Sequence, residues 1–348
     1  MDKISIITTY YNAKEFILNA INSVYQQYID PNKFTIEYVL VNDKTPDNSE
    51  ELIDDYISRF KPRKEFVWKK VEPEKNLGCG GARKFGIENA TGNYFMFLDA
   101  DDYYIHKDFV IRAYNDIVSK EADIVEYGII YNQANGTQHY NAAPKEMTIT
   151  DRNLAEMALF KDNLIKFNVW SKIYKRSIVE SYTYSDERTF EDVRTIPVWV
   201  WNAKKIVIMP TAEINYRAAT GSIIRNNWVE TRIGTITAIA SHFERFKEDY
   251  NLLKAMYTRS MIDIEALLSN HSSENEGFNE MSRLNTYMLS YLFPKTYKEK
   301  TYHVEDDIEV NPPKVLKEQD KLVQPIEIGE DGVKDDDIMP DLNNLPGM

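Results

Sequence analysis

Along the first hundred positions of the chain, short continuous runs of apolar residues alternate with stretches in which apolar residues recur at helical spacing. Apolar runs with the length of a buried strand occupy residues 4–9, 36–41, 65–71 and 94–98. Between these runs, apolar residues recur every three or four positions, which predicts helices over residues 17–28, 52–60 and 82–90. The first helix is expected to have Asn12 as its N-cap, and the second is expected to start at Thr45-Pro46.

This alternation of strands and helices predicts an α/β fold with a doubly wound, mostly parallel sheet flanked by helices. Right-handed crossovers place the loops that follow parallel strands along one edge of such a sheet. Ligands gather at that edge, where the strands reach their carboxyl ends. We therefore expect one cleft to contain four polar loops, at residues 9–12, 42–43, 76–81 and 99–102.

The pattern changes after residue 102. We expect helices over residues 107–118 and 153–160 and from about Phe190, and strands over residues 124–131, 206–209 and 213–217. Asn135-Gly136 predicts a hairpin turn. An aromatic patch spans residues 167–174, and residues 228–293 have a helical period with Ile236, Ile239, Phe243 and Phe246 on one face.

The last stretch, residues 294–348, differs in composition from the rest of the chain. It contains fourteen Asp and Glu against seven Lys and Arg, and almost no helical period. Such a segment buries too little apolar surface to fold alone, so we expect a flexible acidic tail. It is either a solvated linker or a docking segment for a partner.

Composition limits the classes of function. The formal net charge of −13 argues against a general nucleic-acid binder, which needs a basic face. Apolar residues make up 43% of the chain, enough for a large core. Cys79 is the only cysteine and lies among glycines, where we interpret it as a small residue in a tight turn. No secretory signal or long apolar run is found, so we expect no membrane span and a cytoplasmic location.

Carboxylates follow the fourth predicted strand directly. Strand alternation puts Asp99 and Asp101 on the same side of the chain, with Asp102 next to them. Two carboxylates on one side form a hard-oxygen site suited to Mg²⁺ or Mn²⁺. The alternative is an acidic turn that caps the following helix.

Five motifs occur in an order that resembles family 2 glycosyltransferases. They are Ser5-Ile6-Ile7-Thr8-Thr9-Tyr10-Tyr11-Asn12, Val41-Asn42-Asp43, Asn76-x-Gly78 through Ala82-Arg83, Leu98-Asp99-Ala100-Asp101-Asp102, and Glu191-Asp192. The resemblance covers about residues 3–225. It implies the GT-A fold, an inverting mechanism and an Asp-x-Asp metal motif. Two positions depart from the family pattern: Thr9 replaces a usual proline, and Asn42-Asp43 replaces an acidic pair.

The resemblance also implies a domain organisation. Residues 1–225 would form the GT-A glycosyltransferase domain. Its nucleotide-sugar half would span about residues 1–105, and its acceptor half would span about residues 106–225. Residues 226–293 would add a helical C-terminal region before the acidic tail at 294–348.

Candidate site residues follow from the chemistry of sugar transfer together with this resemblance. Thr9, Tyr11, Asn12 and Asp43 would line the nucleotide pocket, with Tyr11 stacking on the base and Asp43 accepting its hydrogen bonds. Asp99 would contact the ribose, and Asp101 would hold a metal with help from Asp99. The guanidinium of Arg83 suits a diphosphate. The resemblance assigns Asp192 as general base with Glu191 as its neighbour. Trp170 would offer a flat face to an acceptor sugar.

Structural alternatives exist for each of these residues. Tyr11 could merely cover the sheet edge, and Asp43 could cap a helix or form a turn. Arg83 could be a surface residue, Trp170 could belong to the core, and Glu191-Asp192 could simply begin a helix, where acidic side chains are favourable. A further functional hypothesis concerns two other residues: Arg217 and Arg225 could close over the phosphates from a mobile loop.

The leading hypothesis is a metal-dependent inverting glycosyltransferase that uses a UDP-sugar, Mn²⁺ or Mg²⁺, and a carbohydrate or glycoconjugate acceptor. A catalytically silent nucleotide-binding scaffold is the main alternative, with the helical region or tail binding a protein partner or a second copy. A nucleotidyltransferase on a similar sheet is a third possibility. A dinucleotide fingerprint is excluded because Arg83 stands where its third glycine is required, and because this turn follows the third strand instead of the first.

Overall fold

The computed structural model describes residues 1–132, 138–217, 228–270 and 276–293, all within one compact unit, Met1–Asp307. The strands are β1 (Asp2–Tyr10), β2 (Phe34–Asn42), β3 (Phe66–Val71), β4 (Tyr94–Phe97), β5 (Tyr103–Tyr104), β6 (Ile124–Asn132), β7 (Gln138–Asn141), β8 (Met147–Ile149), β9 (Lys172–Lys175) and β10 (Ile206–Arg217). The helices are α1 (Ile17–Tyr25), α2 (Ser49–Ser58), α3 (Gly78–Asn89), α4 (Phe109–Ser119), α5 (Arg152–Phe160), α6 (Arg176–Val179), α7 (Glu191–Asn202), α8 (Trp228–Ala240), α9 (Tyr250–Asn270) and α10 (Glu276–Leu292).

The described strands form one mixed sheet in the order β3-β2-β1-β4-β9-β6-β10-β5, with β7 paired to β6 and β8 paired to β10. Neighbours are parallel from β3 to β4 and again between β6 and β10, whereas β9 is antiparallel to both β4 and β6. The predicted α/β fold with a sheet flanked by helices is therefore confirmed. The sheet is more mixed than predicted, because four pairings of the described strands are parallel and five are antiparallel. The insertion of β9 keeps β4 and β6 pointing the same way, so their carboxyl ends lie at one edge.

The pattern of apolar residues did not predict three short strands, and it predicted one long strand as two. Strands β5, β8 and β9 were not predicted, and β9 begins within the aromatic patch and ends one residue beyond it. The two strands expected at residues 206–209 and 213–217 are the single strand β10, with register shifts against β6 between Ile208 and Ile214. An irregularity of this kind breaks the alternation of apolar and polar residues without ending the strand.

The predicted starts of the first two helices were wrong. Helix α1 begins at Ile17, and Asn12 instead has a left-handed backbone with a φ of 52°, which asparagine tolerates. Helix α2 begins at Ser49 instead of Thr45-Pro46. The carboxylate of Asp47 accepts hydrogen bonds from the Ser49 amide and the Thr45 hydroxyl, so a local turn competes with helix at these positions.

Aromatic packing holds α7 against the sheet. Phe97 at the end of β4 packs against Tyr174 of β9 and Tyr184, with ring centroids 6.0 and 6.2 Å apart. Trp199 of α7 lies within 5.1 Å of the Tyr174 ring centroid and is fully buried. Because these rings pack together, α7 is held against β4 and β9 through Trp199.

The C-terminal region is helical, as predicted. Ile236, Ile239, Phe243 and Phe246 are all buried, and Phe246 packs on Trp201 of α7 with centroids 4.8 Å apart. No helix in the described ranges is both long and apolar enough to cross a bilayer. The Asn135-Gly136 turn, Arg225 and the acidic tail lie outside the described residues, and the domain boundaries stay predictions.

Candidate active site

Three carboxylates converge just after β4. Asp99, Asp101 and Asp102 each offer an oxygen within 4.8 Å of the others. The alternative that this turn caps the next helix is wrong, because β5 intervenes and α4 begins only at Phe109. The carboxylates therefore form a cluster that could hold a metal ion, and they do not cap a helix.

Burial and mutual repulsion make this cluster costly without a cation. Burial, followed by the charge of Asp99, raises the pKa of Asp101 to about 6. Burial also raises the pKa of Asp102, which is 1% exposed. Oδ1 of Asp102 accepts a bond of 2.9 Å from the Arg217 amide, but its buried Oδ2 has no hydrogen-bond partner in the part of the chain described. An oxygen donor set of this kind fits Mg²⁺ or Mn²⁺.

Arg83 connects the carboxylate cluster to α7. It is 6% exposed; Nη2 donates to Asp99 Oδ1 at 2.6 Å, and Nη1 donates to the buried carboxylate of Glu191. The alternative of a surface arginine is therefore wrong. A guanidinium fork matches two carboxylates at once, so this one side chain fixes the distance between the end of β4 and the start of α7.

Gly80 allows α3 to bring Arg83 this close. A Cβ on Gly80 would overlap the backbone carbonyl oxygens of Ser185 and Glu187. Only a residue without a side chain lets the helix lie against that loop.

Glu191 and Asp192 start α7 but have different environments. Glu191 is engaged by Arg83, whereas Asp192 is partly buried, accepts a 2.7 Å bond from the Val193 amide and forms no ion pair with any described residue. Burial, followed by the charge of Glu191, raises the pKa of Asp192 to about 7. A carboxylate that is free of a counter-ion and has a pKa near neutrality is suited to accept a proton.

The residue before this pair has an unusual backbone. Phe190 has a left-handed φ of 59°, which is uncommon for a bulky residue and is found where surrounding structure enforces it. The conformation turns the chain sharply into α7, so that Glu191 reaches Arg83.

The predicted nucleotide residues lie at the carboxyl ends of β1 and β2. Thr9 pairs with Val41 in the sheet, Tyr11 is 50% exposed, and the Asn12 amide donates to Thr45 Oγ1 at 2.9 Å. The exposed ring of Tyr11 is available for stacking.

Asp43 also holds the start of α3. Its two oxygens accept bonds of 2.7 and 2.9 Å from the amides of Leu77 and Gly78. Burial raises its pKa despite these amide donors. These contacts match the alternative in which Asp43 caps a helix. A carboxylate has about four acceptor positions, so Asp43 can still accept a hydrogen bond from a base.

Trp170 and Arg217 have packing partners. Trp170 is 8% exposed, and its ring stacks on Tyr216 with centroids 5.5 Å apart and an angle of 4°. This matches the core alternative, and an acceptor role stays a prediction. The guanidinium carbon of Arg217 lies 4.5 Å from the ring centroid of Phe16. Burial raises the pKa values of Asp101 and Asp102, and the charge of Arg217 offsets a small part of that rise.

Two groups near Asp192 were not anticipated. Lys172 is fully buried; its Nζ lies 2.6 Å from the Asn168 carbonyl and 3.4 Å from Glu126 Oε2, and burial lowers its pKa. The Tyr184 hydroxyl is buried with no hydrogen-bond partner among residues 1–132, 138–217, 228–270 and 276–293. A lysine inside an apolar strand pattern was the available signal for Lys172; nothing local marks Tyr184.

Comparison with known proteins finds a family model and several glycosyltransferases that this chain resembles. The family model for glycosyl transferase family 2 matches residues 5–183. The glycosyltransferase GlyA of Streptococcus pneumoniae is 27% identical over 66% of this chain and 32% of its own length. The glycosyltransferase GlyG of the same organism is 22% identical over 77% of this chain and 89% of its own. The chain thus spans less than a third of GlyA.

A solved structure has a similar fold. The crystal structure of S. aureus TarS 1-349 in complex with UDP-GlcNAc covers 83% of this chain and 91% of that one, with a TM-score of 0.52 and 16% identity. At this identity the likeness concerns the fold.

Proposed function

Since the chain belongs to glycosyl transferase family 2, we propose that it transfers a sugar from a UDP-sugar to an acceptor hydroxyl with inversion of the anomeric carbon. One observation carries the proposal. Arg83 joins Asp99 of the carboxylate cluster to Glu191 beside Asp192. This link supports the proposal because one side chain connects a candidate cation site to the residue beside a candidate base.

The donor would bind along the edge formed by β1, β2 and β4. Tyr11 would stack on the base, Thr9 and Asn12 would line the pocket, and Asp43 would accept hydrogen bonds from the base. Asp99 would accept a bond from the ribose. The UDP-GlcNAc complex of a protein with a similar fold supports UDP as the nucleotide.

The diphosphate would be bound at the carboxylate cluster. Asp101 and Asp99, with Asp102 beside them, would hold Mn²⁺ or Mg²⁺. When bound, the cation supplies Lewis-acid stabilisation to the departing diphosphate. Arg83 contributes a fixed positive charge to the floor of the same region, which limits the repulsion that the phosphates meet.

Asp192 would act as the general base. The acceptor oxygen bonds to the anomeric carbon while the bond from that carbon to the diphosphate oxygen breaks, and its electron pair leaves with UDP. The acceptor proton passes to Asp192. The ion pair between Glu191 and Arg83 leaves Asp192 as the free carboxylate of the two. We propose a carbohydrate or glycoconjugate as acceptor and a role in polysaccharide or glycoconjugate synthesis.

The test is UDP release from a panel of UDP-sugars with Mn²⁺, with and without carbohydrate acceptors. Asp192→Asn is expected to abolish transfer and to retain UDP binding measured by calorimetry. Asp55→Asn, which changes an exposed aspartate on α2, is the control and should remain active. Loss of UDP binding in Asp192→Asn would show a structural role for Asp192. UDP binding without turnover of any donor would favour the scaffold alternative.

A further inference from the structure

One cavity is lined by none of the three carboxylates after β4. It has a volume of about 340 Å³ and is bounded by the loop at residues 182–186, by α7, by Lys84 of α3, and by the turn after α8. We call it the flank pocket and define it by Lys84, Tyr182, Asp186, Arg194, His242 and Arg245. It borders the same two helices as the candidate active site, since Lys84 follows Arg83 and Arg194 lies two residues after Asp192.

Positive charge dominates the flank pocket, although the chain as a whole carries −13. Three cationic side chains line it against one carboxylate, that of Asp186. Asp186 pairs with Lys84 at 3.0 Å from a largely exposed position. Within the described ranges, Arg194 and Arg245 form no ion pair. Two guanidinium groups are therefore left without a bound counter-charge.

Arg194 is the side chain that most requires an anion. Its Nε is buried and has no hydrogen-bond partner in the described part of the chain. Burial lowers the pKa of its guanidinium, and the charge of Glu187 offsets this only in part. Because a buried charge without a partner is costly, a bound anion would stabilise this arrangement.

The remaining lining fits the same ligand. The guanidinium carbon of Arg245 is held 4.6 Å from the ring centroid of Tyr182. This contact orients the planar guanidinium group of Arg245 beside the flank pocket. His242 donates from Nε2 to the Val193 carbonyl at 3.0 Å, and burial lowers its pKa to about 4. It is neutral near pH 7, so the arginines and Lys84 supply the charge. Arginine forks match the oxygens of phosphate in pairs.

We propose that the flank pocket binds a phosphate group, contacted by Arg194 and Arg245 with Lys84 beside them. The inference does not depend on the proposed transferase activity. The phosphate could belong to an ester, such as a phosphorylated acceptor, or be free inorganic phosphate. Bound there, it would tie the loop at residues 182–186 to α7.

The experiment is a titration of the full chain with inorganic phosphate and, separately, with glycerol phosphate, followed by calorimetry. We expect saturable binding that saturating UDP does not displace. Arg245→Gln is the main variant because Arg245 is exposed and its loss leaves the core intact. It should weaken binding about tenfold or more, since a hydrogen bond to a charged group is typically that strong. Arg194→Gln should do the same.

Lys64→Gln, which removes an exposed cation outside the pocket, is the matched control and should bind as the parent does. Circular dichroism and UDP affinity confirm that each variant is folded. Tighter binding of glycerol phosphate identifies an ester as the source, and tighter binding of inorganic phosphate identifies the free ion. Absence of saturable binding, displacement by UDP, or an Arg245→Gln variant with unchanged affinity would each overturn the inference.

Discussion

The ring of Phe190 lies directly against Gly234 of α8, so closely that a Cβ on the glycine would overlap ring carbon Cε2. Phe190 is also the left-handed residue that precedes Glu191 and Asp192. The C-terminal helical region therefore contacts the turn that aims the candidate base. This contact joins two parts of the chain that the sequence assigned to separate regions.

Gly234→Ala should lower turnover. Alanine in place of glycine would ordinarily stabilise a helix by about 1 kcal/mol, so any loss must come from the collision with Phe190. Displacement of the following turn by about 1 Å can cost about a hundredfold in rate, and we expect kcat to fall while UDP affinity is retained. Steady-state kinetics and calorimetry measure the two effects.

A second substitution separates this collision from a general loss of structure. Phe190→Leu in the Gly234→Ala background shortens the opposing side chain and should restore part of the rate. Thr237→Ala in the same helix is the control. A Gly234→Ala enzyme as active as the parent would show that α8 does not position Asp192.

Asp101→Asn should weaken the binding of Mn²⁺ by at least about tenfold, the lower bound found even for outer-shell partners of a metal. Because the pKa of Asp101 is raised to about 6, protons compete with the cation below that pH. Affinity in the parent should therefore increase as the pH rises through about 6. Calorimetric titration with Mn²⁺ at several pH values checks both points, and equal affinities in parent and variant would remove Asp101 from the site.

The rate of sugar transfer should depend on the ionisation of Asp192. Its pKa is raised to about 7, and a general base works only when deprotonated. At saturating cation and donor, kcat should rise about tenfold per pH unit below that value, the slope of a single ionisation, and level off above it. A profile that stays flat across this range would rule out Asp192 as the base that limits the rate.

His242 should make the fold less stable in acid. Burial lowers its pKa from 6.5 to about 4, and the charges of Arg194 and Arg245 add to this effect. Between these two values the unfolded chain binds a proton that the folded chain does not, so the free energy of unfolding falls as the pH drops through this window. The loss is on the order of 3 kcal/mol, at about 1.4 kcal/mol per pH unit.

His242→Gln keeps a donor for the Val193 carbonyl and removes the titration. Urea denaturation at several pH values should show a shallower dependence for this variant than for the parent. His139→Gln, at an exposed position on β7, should follow the parent. Parallel curves for His242→Gln and the parent would contradict the prediction.

The sequence by itself determined the order of the first four strands and of the helices between them, the α/β class and the loops at the sheet edge. These follow from local periodicity, because alternation and helical spacing are properties of neighbouring residues. The carboxylates after β4 and the acidic pair at the start of α7 were also visible as short motifs. Helix starts at Asn12 and Thr45-Pro46 were wrong, since Asn12 has a left-handed backbone and Thr45 bonds Asp47 within a local turn.

Only the tertiary structure decided which of these groups meet. Arg83 bonds Asp99 and Glu191, which lie 16 and 108 positions away, and Asp43 caps a helix that starts 35 positions later. No local pattern encodes such pairings, because they depend on how helices dock on the sheet and on which polar groups lose water there. The same docking buried the Nε of Arg194 without a hydrogen-bond partner among the described residues, and it placed Gly234 against Phe190.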